Sequence, residues 1–160
     1  MVNLYRVIDN LISLVENKYE QLHDIYLLTQ LQANAIEESD MEGLSNLINK
    51  KQEKIDLIVT FDSQIEAISS DLKTLYDVKS FDELENESAN VAILRESMAK
   101  VTDVLKEIIQ IENVNKDKIN SSKRELEIKM SNARTGRTAI KQYSGIQTYS
   151  DAVFFDKKIK

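Results

Sequence analysis

The 160-residue chain holds three glycines and no proline, about 2% together where soluble proteins average roughly 12%. Tight turns, hairpins and Gly-rich phosphate loops depend on those residues, so sandwiches, barrels, open α/β sheets and nucleotide cradles are excluded and an all-α chain is expected. The net charge of −6 is unevenly spread, with 18 acids against 7 bases in residues 1–90 and 9 acids against 14 bases in residues 91–160.

The first predicted helix runs over 3–37. Its apolar residues fall at Leu4, Ile8, Leu11, Val15, Leu22, Ile25, Tyr26, Ala33 and Ile36, in steps of mostly three and four, the spacing of a stripe on one helix face. Lys18 occupies a stripe position. An acidic turn follows at 38–40. Ser39 and Glu42 have the S-x-x-E spacing of a capping box, and Ser39 or Asp40 can cap the next helix. A link this short makes its two helices antiparallel neighbours.

The second helix is expected over 41–77, with Leu44, Ile48, Ile55, Ile58, Phe61, Ile65, Ile68, Leu72 and Leu75 on its stripe. The N-terminal part is looser, with Lys50 and Lys51 near the stripe. The link at 78–88 contains a second capping-box spacing, Ser80 with Glu83, and Phe81 and Leu84 are the apolar residues of a short turn.

The third helix is expected over 89–134. Its stripe reads Val91, Leu94, Met98, Val101, Leu105 and Ile108, then Glu112 and Asn115, then Ile119, Ser122, Leu126, Met130 and Ala133. Two readings fit the polar middle. Polar stripe residues can set helix register at a cost in stability, or the helix has run past its partners and is exposed there. Gly136 with Arg134 and Arg137 marks a helix end, as the macrodipole favours. The chain thus divides into an antiparallel three-helix bundle over 1–135 and a tail over 136–160. The tail carries Tyr143, Tyr149, Phe154 and Phe155, four of the ten aromatic residues, where a purely solvating tail would be aromatic-poor.

No residue pattern specifies catalysis, a cofactor or a metal. There is no Cys and one histidine, which removes thiolate chemistry and leaves any triad resting on His23. Di-metal carboxylate bundles need two Glu-x-x-His motifs on facing helices. Here Glu20 and His23 supply one, so His23 reads as a helix-face residue. Apolar runs stop at four residues, far short of the roughly 20 of a membrane span. The N-terminus lacks a signal-peptide apolar region. A location inside the cell is expected. The stretch from Lys116 to Lys141 has eight bases against three acids. Its aromatics follow it rather than interleave with it, and overall acidity opposes phosphate binding, so no nucleic-acid partner is expected.

Interaction remains. Leu14, Leu28, Leu31, Leu47 and Leu57 lie off the main stripes and widen the apolar faces. Grooves between long helices accept amphipathic helices from partners. The tail adds aromatic anchors, which give large contact area for little ordering entropy. Residues 136–160 are therefore expected to be loosely held alone and to be the main adhesive segment.

The residues from Ala35 through Glu38, Ser39, Asp40, Leu44, Ile48 and Lys51 to Gln52 resemble the FlgN family of flagellar export chaperones. That family has a first helix ending in an acidic turn, then Leu-x-x-Leu/Ile and a Lys-Gln pair in the second helix. Ile111 to Lys116, with Asn113 and Asn115, is similar to the family's Asn-containing segment midway along its last helix. Tyr149 with Ser150, and Phe155 to Lys158, resemble the end of Gram-positive members. The likeness spans nearly the whole chain. It departs after Lys116, where Lys118 and Ile119 stand in place of the family's usual Leu.

The resemblance implies a cytoplasmic chaperone without ATP. It would cover the C-terminal helices of hook–filament junction proteins, prevent their premature assembly and deliver them to the flagellar type III export apparatus. Contact with the membrane would come only through the export gate. The resemblance assigns client holding to the C-terminal region, with Phe154 and Phe155 as candidates. Docking at the gate is assigned to a tyrosine near the end of the helical part, Tyr143 or Tyr149. Homo-oligomerisation stays open. The competing readings are a coiled-coil spacer or assembly subunit without a client, and a nucleic-acid-associated bundle using the basic third helix.

Overall fold

The computed structural model describes residues 3–130. Three long helices carry them: α1 (Leu4–Glu37), α2 (Met41–Leu75) and α3 (Val91–Met130), with a 3-10 turn at Phe81–Leu84 between α2 and α3. No strand occurs among the described residues. The expected bundle–tail boundary at residue 135 lies outside them.

The two helix reversals are built without glycine. After α1, the Asp40 N–H donates to the Ala35 carbonyl at 2.9 Å and the Ser39 N–H to the Ile36 carbonyl at 3.2 Å. That bond pair is the Schellman closure, which needs a left-handed residue at its corner. Ser39 supplies it at φ 56°. The end of α2 repeats the pattern. The Val78 N–H donates to the Lys73 carbonyl, the Asp77 N–H to that of Thr74, and Asp77 stands at φ 49°.

Asp40, rather than Ser39, starts α2. Its carboxylate accepts the Gly43 N–H at 2.9 Å, satisfying one orphan donor of the first turn. The expected Ser39–Glu42 box does not form, because Ser39 is engaged at the corner of the preceding helix. Gly43 is fitted to this cap: a Cβ there would lie 2.2 Å from the Asp40 carboxylate. The second spacing does form a capping box. The Ser80 hydroxyl accepts the Asp82 N–H at 3.2 Å. The Glu83 carboxylate accepts the N–H of Ser80 at 3.2 Å and of Lys79 at 2.6 Å.

The described residues form two compact units. Unit 1 holds those up to Asp24 together with Lys54–Leu105. Unit 2 holds Ile25–Glu53 together with those from Lys106 onward. In unit 1, Asp24 pairs with Lys54 at 3.1 Å and Lys18 with Asp62 at 2.7 Å. Position falls along α1 as it rises along α2, so the two run antiparallel. Lys18 therefore ends in an ion pair rather than interrupting the stripe. The unit 1 core includes Ile8, Leu11, Leu22, Ile58, Leu84 and Leu94, all nearly fully buried. Asn90, just before α3, donates to the Tyr5 carbonyl at 2.8 Å. Arg95 bridges Asp82 and Glu85 at 2.8 and 3.1 Å, and those bonds, to Glu85 first and then Asp82, raise its pKa further.

In unit 2, α2 runs against α3, with Leu44 and Ile48 clustered with Ile119 and Lys51 bonded to Glu112, and α1 runs with α3. Thr29 and Glu37 on α1 meet Asn115 and Lys118 on α3 in the same order. Ala35, Leu44, Ile48 and Ile119 form the apolar cluster, with Ile36, Met41 and Leu47 against it.

Several stripe assignments shift. Leu75 and Met98 are 60% and 41% exposed. Phe61, Ile65 and Ile68 are half-buried. On α3, Val104 is buried where Leu105 is only half so. On α1, the buried set past Ile25 is Thr29, Gln32 and Ala35, while Tyr26, Ala33 and Ile36 are half-buried. A straight helix drifts about 20° per heptad against a 3.5-residue repeat. Over a helix this long the stripe moves by a neighbouring position.

Candidate functional site

Lys51 lies on α2 where the stripe demands an apolar residue. Its side chain is 1% exposed. The ammonium donates to the Gln32 side-chain carbonyl on α1 at 2.7 Å and to the Glu112 carboxylate on α3. One cation thus ties all three helices of unit 2 together. A charge this deep is tolerable only when paired and hydrogen-bonded, and Gln32 and Glu112 meet both conditions.

One turn further along α3 sits Asn115. Its amide donates to the Thr29 carbonyl at 3.2 Å, and its buried side-chain oxygen has no hydrogen-bond partner. Thr29 is itself fully buried, with its hydroxyl turned back to the Ile25 carbonyl at 2.7 Å. The polar middle of α3 is therefore interior. Glu112 and Asn115 are buried, so the reading of an exposed overhang there is corrected. Lys51 was visible in the sequence as a cation near the stripe. Gln32 and Thr29 were missed, because a stripe traced through Tyr26, Ala33 and Ile36 passes beside them.

An open groove of about 490 Å³ lies in the same unit, between the end of α1 at Ile36 and Ser39 and the α3 residues Val114, Asp117 and Ser121. Lys118 bonds Glu37 at 2.8 Å on its wall. That bond, with the Lys118 charge behind it, holds the Glu37 carboxyl below the ordinary carboxylate range. Of the off-stripe leucines, Leu31 and Leu57 are exposed, and Leu14, Leu28 and Leu47 are half-buried. Leu27 stands exposed one turn before Leu31.

His23 is exposed, its ring tilted against Tyr19 at 6.4 Å between centroids. Among the described residues no group of three or more His, Asp or Glu could hold a metal ion. No helix of those residues is long and apolar enough to cross a membrane. Tyr143, Tyr149, Phe154 and Phe155 lie outside the described residues, as does the basic stretch beyond Met130.

The family model described as FlgN protein matches residues 1–150, a span that includes the Lys51 layer, Tyr143 and Tyr149 and stops before Phe154. No curated protein and no solved structure matches the chain.

Proposed function

We propose, from the premise that the chain belongs to the FlgN family, that it is the cytoplasmic export chaperone of hook–filament junction proteins. FlgN proteins are flagellar export chaperones, a family of binding proteins and not of enzymes, and they bind export substrates. The clients here are the C-terminal helices of the junction proteins. The chaperone shields them from early assembly and hands them to the type III export apparatus. The observation that carries this reading is the family match over residues 1–150. The physical chemistry agrees with it. Amphipathic client helices need a surrogate apolar partner that later lets go, and a helical bundle with exposed leucines and an aromatic tail offers one without nucleotide hydrolysis.

In this reading Phe154 and Phe155 grip the client, and Tyr143 or Tyr149 docks at the export gate. A segment that orders on contact offsets its ordering entropy at that moment, which keeps binding reversible. The test compares the full chain with a chain ending at Arg134, using a synthetic C-terminal helix of a junction protein as probe. Calorimetric binding to the full chain, lost on truncation at an unchanged melting temperature, supports it. A truncated chain that still binds, and melts several degrees lower as about 1 kcal/mol of lost packing would produce, makes the tail a structural cap. Absence of binding by the full chain would remove the client assignment itself.

A further inference from the structure

We propose that unit 2 is the half of this chain that opens, and that the Lys51–Gln32–Glu112 layer makes it close again in a single helix register. The two units differ in what they bury. Among the described residues, 3–24 and 54–105 of unit 1 carry fourteen of the buried apolar side chains beside two buried polar ones, and 25–53 and 106–130 of unit 2 carry six, namely Ile25, Ala35, Leu44, Ile48, Ile108 and Ile119, beside five. Unit 2 instead encloses Thr29, Gln32, Lys51, Glu112 and Asn115, against Ser88 and Asn90 in unit 1. Apolar burial is the main driving force for closing a helix pair, and cooperative segments with little of it open at the lowest free energy. The Asn115 side-chain oxygen, shut away from water without a partner, is further relieved when α3 lifts.

Stability does not explain the layer. A buried ion pair replaced by apolar residues of similar volume is commonly neutral or stabilising. Geometry explains it. The α3 stripe is self-similar at seven-residue steps, with Leu105, Glu112 and Ile119 on one line. A slip of seven presents Lys51 with Leu105 or Ile119 in place of the Glu112 carboxylate and leaves the buried ammonium without that counter-ion. One register satisfies the ammonium from both sides, and a polar residue in an apolar stripe acts as this kind of selector in coiled coils.

Hydrogen exchange on the full chain tests the opening. Amides of 29–35, 44–51 and 108–119 are expected to exchange together, on the order of tenfold or more faster than those of 8–22, 55–72 and 91–104. Equal protection in the two sets overturns the proposal. Register is read with the variant Gln32→Leu/Lys51→Met/Glu112→Leu. The chain has no cysteine, so a short thiol crosslinker reports only introduced pairs. Glu37→Cys with Lys118→Cys marks the native register, and Glu37→Cys with Glu125→Cys a slip of seven. In the parent layer the first pair crosslinks and the second does not. In the apolar variant both crosslink, and unit 2 amides become slower to exchange. An apolar variant that crosslinks only the native pair overturns the register role. One that unfolds also overturns it, since the layer would then be a main source of stability.

Discussion

Lys51 on α2 and Glu112 on α3 form an ion pair at 1% and 5% side-chain exposure, and the ammonium also donates to Gln32 of α1. Removing one member leaves the other buried without its counter-ion. Lys51→Met alone is expected to cost about 3–5 kcal/mol, and Lys51→Met/Glu112→Leu to recover most of it. Denaturant titration of the full chain checks both, and a single-variant loss below about 1 kcal/mol would place the pair at the surface energetically.

Ser39 holds a left-handed corner at φ 56°, where a side chain costs roughly 1–2 kcal/mol. Ser39→Gly relieves that strain and loosens the unfolded chain somewhat. A net gain of about 0.5–1 kcal/mol is expected, visible as a raised melting temperature. Ser39→Val should lower it. A glycine variant that melts earlier than the parent would contradict this account of the corner.

Ile58 is nearly fully buried and Ile65 is half-buried, although both lie on the same sequence stripe. Ile58→Asp is expected to lose several kcal/mol, because an unpaired carboxylate enters the core. Ile65→Asp keeps access to water and should lose clearly less. Melting curves of the two variants decide. Equal losses would mean that burial on this part of α2 is misassigned.

The Glu37 carboxyl is held below its ordinary range by the Lys118 bond. A carboxyl with a lowered folded-state pKa contributes stability above its unfolded pKa, and that contribution fades as pH falls through the folded value. Glu37 is exposed and Lys118 partly so, so the effect on folding is small. The side-chain carbonyl resonance of Glu37 should titrate below the carboxylate norm in the parent and move up in Lys118→Met. An unchanged midpoint in that variant would remove the bond from the explanation.

Much of the fold is legible in the chain. Glycine and proline scarcity excludes sheets, and steps of three and four define long helices. The Ser80–Glu83 spacing and the acidic turn at Glu38–Asp40 place the two links. These are local signals: the chemistry of a cap or a stripe lies within a few consecutive residues. Locality also has a cost. Ser39 and Asp40 are both good caps by type, and the Schellman bonds from Asp40 to Ala35 and from Ser39 to Ile36 assign one to each helix.

What the amino-acid sequence determined by itself is the all-helical class, the order of the helices and the presence of charged residues where an apolar stripe should continue. Only the tertiary structure decided that Lys51, Glu112 and Asn115 are interior, that Gln32 and Thr29 join them, and that Leu75 and Met98 do not belong to the core. The physical reason is that burial is settled between helices. A stripe names a face, but three stripes drifting against one another select which residue on each face meets the others. The ammonium of Lys51 becomes tolerable in the interior because partners 19 and 61 residues away in the chain arrive at the same place.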